Sequence, residues 1–502
     1  MYPISVQTPV SRFFIGFLFG AVMVFATTHA TAQPIQQHPD NPSYFLWRGL
    51  PTALITSAEH YGAVVNLDFD YATYLATLEA EGMNYTRIFS GAYIEPAGAF
   101  GIAENTLAPA EGRYLSPWAR SDAPGYAGGG NKLDLDRFSE AYLSRLRDFI
   151  ATAARHGVVV ELTFFSSTYS EAQWGVHPFN PANNIQGFGV EDWRQLHARS
   201  DGPAFGYQQQ LVAHLVRALN DFDNLFYEIQ NEPWSDSHTM GPMINRYLRD
   251  EHKWPNAVEI PTPASVAWQA AMAEVIATTE ASLPKQHLIA QGIANFEHAV
   301  ADGEIIPHVS LLNFHYANPN AVRWNQGLGY VLGYDESGFA GRADATYRGE
   351  AWRFIMSGGG LFNNLDYSFT VDHPDGTYTE PNGHGGGSVA LRRQLRTLSE
   401  FIHGFDLTTL QPDHDVVLRA PGLIPYALSD GRDQYGIYLE GRRSSPLVLG
   451  LSAGAYQLTW LNPVTGSQEQ ARLDVPQANM RAELVLPDFE DAIVLRVMRL
   501  QR

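Results

Sequence analysis

The sequence predicts an α/β chain in which a parallel (β/α)8 barrel of the TIM type is followed by a smaller all-β sandwich domain. Three observations lead there. Between about residues 40 and 405, short apolar or β-branched runs alternate with helical stretches, the pattern of a parallel sheet with helices packed outside it. Eight such runs can be counted, the number that closes a barrel. From Leu410 onward short strands separated by turn residues take over, which is the texture of a sandwich. Alternation alone does not decide closure, and a doubly wound open sheet shares it.

Taken in order, Tyr44 to Ile55 is a mixed apolar stretch that ends in the polar, aromatic tip Thr56 to Gly62. Asp68 to Glu81 carries Phe69, Tyr74, Leu75 and Leu78 at helical spacing, and Gly82 closes it. Asn84 to Phe89 reads as the second strand, followed by a long Gly/Pro/aromatic loop to about Asn131. Asp134 to His156 has one apolar face and predicts a helix ended by Gly157. Val158 to Phe165 is β-branched and predicts the third strand; a second long loop and a helix from Tyr207 to Leu219 lead to the fourth, which ends at Glu232. Thr262-Pro263 is an N-cap with proline at the first helical position, opening a helix through about Ala281. His287 to Gly292, Val309 to Tyr316, the run ending at Glu336, and Gly360 to Leu365 complete the eight, with helices at Thr346 to Met356 and Leu391 to Phe405. The least marked link joins strands five and six. In the C-terminal region, Asp430-Gly431, Ser452-Ala453-Gly454 and Asn462-Pro463 mark turns between strands, and Tyr456 and Trp460 fall on one strand face.

At the N-terminus, Arg12 precedes an apolar run from Phe13 to Ala26, and Ala30-Thr31-Ala32 follows. A charged region, an apolar core and a small-x-small site make a secretory signal peptide. The run is shorter than the roughly 20 residues a spanning helix needs. The expected organisation is a signal peptide over residues 1–32, a barrel over 33–408 and a sandwich over 409–502, with a secreted or periplasmic location and no membrane attachment after cleavage. Formal net charge is −20, which argues against nucleic acid or anionic membrane as partners. There is no cysteine, so thiol chemistry and disulfides are excluded and the fold rests on its core.

Two carboxylates stand where strands end. Tyr227-Glu228-Ile229-Gln230-Asn231-Glu232-Pro233-Trp234 carries Glu232 at the tip of the fourth strand, and Pro233 is expected to hold its backbone extended. Tyr334-Asp335-Glu336-Ser337-Gly338 carries Glu336 at the tip of the seventh. In a closed parallel barrel all the C-terminal tips face one cleft, and a pair of carboxylates flanking a bond is the equipment of glycoside cleavage, with retention or inversion set by their separation. Glu228, four residues before Glu232, points into the barrel and needs a basic or polar partner there. Asp335 and Glu350 read as structural.

Asn231-Glu232-Pro233 on a fourth strand, His315-Tyr316 on a sixth and Glu336 on a seventh together resemble the cellulase-like retaining glycoside hydrolases of clan A, of which glycoside hydrolase family five is the best-known member. The resemblance covers roughly residues 40–405. It implies a barrel, a carbohydrate substrate with β or related linkages, and a retaining double displacement without metal or cofactor. Carried over by position, Glu232 is the general acid/base and Glu336 the nucleophile. Arg87 is the active-site arginine that holds Glu336 charged, Asn231 contacts the sugar 2-hydroxyl, Tyr316 hydrogen-bonds the nucleophile and His315 binds the sugar. The tip residues His60 and Tyr61, with Trp174 as a stacking platform and Asn364 at the eighth tip, complete the expected substrate contacts. A non-catalytic carbohydrate-binding barrel and a transglycosylase share these features. A metal-dependent barrel hydrolase would need a motif such as His-x-His at the first tip, which here reads Glu59-His60.

Overall fold

The computed structural model describes residues 33–187, 190, 192–242, 257–379, 385–442, 446–476 and 480–500. The segment read as a signal peptide lies outside the described residues. Eight parallel strands form one sheet: β1 (Leu54–Ala58), β2 (Tyr85–Phe89), β3 (Val159–Ser166), β4 (Leu225–Asn231), β5 (Ile289–Asn295), β6 (Leu311–His315), β7 (Val331–Ser337) and β8 (Leu361–Leu365). Their spatial order is β1-β8-β7-β6-β5-β4-β3-β2. A sheet whose strands follow one another in chain order, with first and last brought together, is a barrel and not a doubly wound sheet. The closing seam between β1 and β2 is stitched by the Asn84 side chain. Its oxygen accepts from the Ile55 amide at 2.8 Å, and its nitrogen donates to the Ala53 carbonyl at 2.9 Å.

The barrel interior is layered. At the N-terminal end Leu54, Tyr85, Val159, Phe226, Ala290, Leu311, Val331 and Leu361 meet, one from each strand, and Phe45 and Ile35 plug them from below. Above this apolar floor comes a charged level, where Arg87 pairs in register with Glu161, and Thr163 with Glu228. Every one of these four side chains is fully buried, so each needs its partner inside.

Outside the sheet, α1 (Tyr71–Ala80) follows β1, α2 (Glu140–Arg155) follows β2, and α3 (Glu171–Val176) and α4 (Pro203–Leu219) follow β3. After β4 come α5 (Pro233–Asp236) and α6 (Pro263–Glu280). Then α7 (Pro319–Asn325), α8 (Asp344–Ile355) and α9 (Val389–Ile402) follow β6, β7 and β8. Caps read from the sequence are in place: Thr262 accepts from the Ser265 amide ahead of Pro263, and Gly157 adopts φ 67° past the end of α2. Among the described residues the β5–β6 link holds only a short 3₁₀ turn at Asp302–Glu304.

Two expectations are corrected. The stretch from Tyr44 to Ile55 is not one strand. Phe45–Trp47 and Leu50–Thr52 pair in a small antiparallel sheet beneath the barrel, and β1 begins only at Leu54. Arg48 and Gly49 turn between them with left-handed φ of 49° and 79°, which breaks the run. The second helix likewise starts later than Asp134, because Asn131–Phe138 is a strand paired with Trp118–Pro124. Leu133 and Leu135 are buried while Asp134 and Asp136 are not, a period of two.

Beyond α9 the chain is antiparallel β. One six-stranded sheet includes Leu423–Ser429, Gln434–Gly441, Ala492–Arg499 and Gly454–Leu461, and a three-stranded sheet joins Val417–Arg419, Leu447–Gly450 and Arg481–Leu484. Tyr456 and Trp460 are buried in the core of this region, not displayed as a sugar platform. Leu428, Tyr438, Leu461, Ala492 and Val494 belong to the barrel's own core. Trp352 of α8 stacks on Tyr438 at 5.4 Å, and beside it Arg353 pairs with Glu440 at 2.8 Å.

Candidate active site

Glu232 ends β4 in a conformation that the sequence did not announce. Pro233 was expected to hold it extended, yet its φ is 48° and its ψ 54°. Proline excludes the right-handed helix, and the residue goes left-handed because two bonds pin its carbonyl: Ser167 Oγ donates at 2.6 Å and the Ser235 amide at 2.8 Å. Such a backbone costs about 1–3 kcal/mol. It is not isolated. Tyr61, Phe100, Tyr316 and Phe339 are left-handed as well, and with Glu232 these make five of the eight such non-glycine residues among those described. All five line one pocket. Strain gathered at one cavity marks it as a site under functional constraint.

The pocket is narrow and opens at the C-terminal tips of the barrel. Glu232 and Glu336 face each other in it, with an oxygen of each and a nitrogen of His315 all within 4.8 Å of one another. Their surroundings differ. Tyr61 donates to Glu336 at 3.1 Å, Arg87 Nη1 donates to it at 3.4 Å, and the Tyr316 hydroxyl donates to its other oxygen. Glu232 shares a 3.1 Å hydrogen bond with His315 Nδ1 and receives a long one of 3.5 Å from Ser235. One carboxylate therefore accepts from three donors, one of them cationic. The other sits beside an imidazole that can share a proton with it.

Arg87 is the hub beneath the pocket. Fully buried, it donates to Glu228, to Thr163 at 3.2 Å and to Asn231 at 3.0 Å, and it stands 3.3 Å from Asp335. The basic partner expected for Glu228 is this guanidinium. Burial pushes the Glu228 and Glu161 carboxyls up. Burial acts the same way on Asp335, but Arg87 and His315 outweigh it and hold that carboxyl below its usual range. Burial pushes His315 down, but Glu336 and Asp335 outweigh it and hold the imidazole well above its ordinary value. Two trios, Glu228-His315-Asp335 and Glu232-His315-Glu336, have the spacing of metal ligands. A divalent ion at either would sit against the Arg87 guanidinium, so the charge these carboxylates need is already supplied by the protein.

No family model and no curated protein matches this sequence. Solved structures do match the fold. A candidate glycoside hydrolase from Bacteroides vulgatus superposes with a TM-score of 0.62 at 12% identity, over 93% of this chain and 82% of that one. A glycoside hydrolase family 5 structure from the same organism gives 0.59 at 13% identity, over 93% of each chain. A further structure described as a glycoside hydrolase gives 0.59 at 13%, over 93% of this chain and 97% of that one. This chain shares their fold. The likeness spans the barrel together with the C-terminal β region, wider than the stretch the sequence motifs cover.

Among the expected substrate contacts, His60, Tyr61, Asn231 and Tyr316 line the pocket with the two glutamates. His315 does not reach the surface as a sugar ligand. It is fully buried and spends its nitrogens on Glu232 and Asp335. Trp174 is set aside in α3, packed against His177 at 5.2 Å, and does not line the pocket. Asn364 is buried in the β8 wall, where its amide donates to Ser57 at 3.0 Å. Tyr93, Glu95, Phe100, Leu107, Ser166, Tyr169 and Phe339 line the pocket without having been singled out. Six of these lie in the two long stretches read from the sequence as loops after the second and third strands, and no periodicity marks them.

The β1 tip carrying His60 and Tyr61 is held from behind. Glu59 accepts from the Gly62 and Ala63 amides at 3.0 and 3.1 Å and from the Thr106 hydroxyl. A Cβ on Gly62 would stand 2.2 Å from the Thr106 carbonyl oxygen. The Gly62→Ala variant is expected to lose about 1–3 kcal/mol of stability through overpacking. Its loss of catalytic rate should exceed what the unfolded fraction explains, since His60 and Tyr61 must move; urea titration and rate measurements on the same preparation check both.

Proposed function

We propose that this protein is a retaining glycoside hydrolase in which Glu336 is the nucleophile and Glu232 the general acid/base. One observation carries the reading: two carboxylates on opposite barrel strands bring oxygens within 4.8 Å of each other in one pocket, in unequal environments. Retaining enzymes keep their carboxyl groups at about 5–5.5 Å, and inverting ones leave about 6.5–9.5 Å for a water.

In the first step a Glu336 oxygen attacks the anomeric carbon while Glu232 gives its proton to the glycosidic oxygen, and the leaving sugar departs with that proton. In the second step the Glu232 carboxylate takes a proton from water, the water oxygen bonds the anomeric carbon, and Glu336 is released. Tyr61, Tyr316 and Arg87 stabilise Glu336 as an anion before attack and again as it leaves. His315 Nδ1 lies 3.1 Å from Glu232 and fixes where that carboxyl points, toward the glycosidic oxygen it must protonate. Asn231, whose amide is oriented by Arg87 and by Tyr169 at 2.9 Å, lies at the pocket wall where a 2-hydroxyl would bind. The shared fold with glycoside hydrolases supports a carbohydrate substrate, and the N-terminal charged-apolar-small pattern supports export to the cell exterior or periplasm.

The test is release of sugar from β-linked glucans, mannans, xylans and galactans, with the anomeric proton of the first product followed by NMR. Retention at early times is expected. An inverted product would remove the double displacement. A panel without activity, together with no mass added to Glu336 by 2-deoxy-2-fluoro glycosides of the same sugars, would remove the enzyme reading.

A further inference from the structure

One wall and the mouth of the pocket are built from groups that the two-step reaction does not use. The wall is Glu95, whose side chain is 3% exposed. One of its oxygens accepts from Asn105 at 2.5 Å and lies 3.3 Å from His60 Nε2; the other accepts only from the Tyr93 hydroxyl, at 3.1 Å. A carboxylate oxygen has room for a second donor, so that oxygen keeps an acceptor position. His60 Nδ1 is buried and has no hydrogen-bond partner. Two polar atoms with unused capacity thus belong to side chains lining one cavity, on groups that folding alone has no reason to bury.

Phe100 and Phe339 stand together at the mouth. One comes from the loop after β2 and the other from the loop after β7, and their ring centroids are 6.3 Å apart. Both rings are exposed, by 41% and 37%. Both sit on left-handed backbone, at φ 53° and 57°. Bulky residues avoid that region, and solvent-exposed rings return little burial energy for the strain. Phe100 packs edge-on against Tyr169 at 5.1 Å, and Phe339 meets Tyr316 at 6.3 Å, so the pair is fixed to the same tyrosines that surround the glutamates.

We infer that the pocket is a dead-end site for the terminal residue of a sugar chain, in which Glu95 and His60 bind that residue's hydroxyls and the Phe100–Phe339 pair bars passage of a continuous chain. This rests on the glycoside hydrolase reading and adds to it the position of attack: the enzyme removes end residues and does not cut within a chain. An aromatic pair at the rim also offers the next sugar an apolar face to pack on.

The experiment uses the full chain on reduced β-1,4-linked hexasaccharides of glucose, mannose, xylose and galactose, and on the matching 4-nitrophenyl β-monosaccharides. Products are followed from the first per cent of turnover. A monosaccharide and a pentasaccharide as the sole early products, with 4-nitrophenol released from the same sugar, are expected. The Phe100→Ala/Phe339→Ala double variant should then yield di-, tri- and tetrasaccharides from the start. Glu95→Gln should lower kcat/KM on the 4-nitrophenyl glycoside by about 10- to 100-fold, as expected for removing a charged hydrogen-bond acceptor. In that variant one deoxy-glycoside should cost no further activity although it does so in the wild type, a readout that a merely structural role would not move. Internal fragments from the wild type at first turnover would overturn the inference and leave the hydrolase standing. Absence of cleavage of any glycoside, with no labelling of Glu336, would overturn both.

Discussion

Replacing Glu336 with glutamine is expected to lower kcat/KM by about 10⁴-fold or more, the scale on which removal of one member of a covalent catalytic unit acts. Glutamine keeps the shape, and it can still meet Tyr61 and Tyr316, but it has no anion to place on the anomeric carbon. Glu232→Gln should cost about 10²–10⁴, the usual share of a general acid/base, and should cost least on substrates whose leaving group needs no proton. Azide separates the two roles. Added to Glu232→Ala, it replaces the water of the second step and gives a glycosyl azide with the configuration of the substrate. Added to Glu336→Ala, it replaces the nucleophile and gives the opposite configuration. Reading the anomeric configuration of the azide product decides the assignment; the same azide from both variants would dissolve it.

Arg87→Met is the substitution with the largest expected effect on stability. The guanidinium has no solvent exposure and lies among Glu228, Asp335 and Glu336. Methionine would fill much of the space but leave the carboxylates facing one another with His315 as the remaining cation. Breaking a buried ion pair on one side costs about 3–5 kcal/mol, measurable by urea unfolding. The deficit should depend on pH in a definite sense. Burial already raises Glu228 and Glu161, and without Arg87 the main opposing charge is gone, so the folded state binds more protons than the unfolded one between about pH 4 and neutrality. Stability then falls as pH rises. The variant should recover relative to wild type near pH 5 and be weakest near pH 8. A deficit that is flat across this range would show that the carboxylates do not share one charge budget through Arg87. Lysine at the same position keeps the charge but loses the fork, and should restore part of the stability and little of the rate.

The strands were legible where composition leaves little choice. Val158-Val159-Val160 and Leu311-Leu312 cannot be much other than buried β in this alternation, and the Glu232 and Glu336 tips follow from the chain-order barrel. The interior pairing of Glu228 was legible as well, because a buried charge with fixed strand direction must find a basic or polar partner. What escaped were features whose signal is tertiary. Glu232 goes left-handed because Ser167, just past the end of β3, holds its carbonyl. His315 faces Glu232 and Asp335 instead of the cavity, a matter of the register shift between β6 and β7 at Phe314 and His315. The hairpin partner Asn131–Phe138 did have a local sign in Leu133-Asp134-Leu135-Asp136, masked by the strong helix that follows. Glu95, Phe100 and Phe339 come from loops, where no period announces which side chain turns inward.

The stacking of Trp352 on Tyr438 sets what the C-terminal β region can do. Modules on tethers extend an enzyme's reach by sampling positions around it. This one is bolted, through a shared core and the Arg353–Glu440 pair, to α8, the helix that directly follows β7, the strand carrying Glu336. Its leverage is mechanical: it stiffens the ground from which Glu336 is aimed. A lesion placed far out in the β region would therefore register as slower chemistry on every substrate alike, and barrel and β region would melt in one transition, like a lintel and the wall it is keyed into.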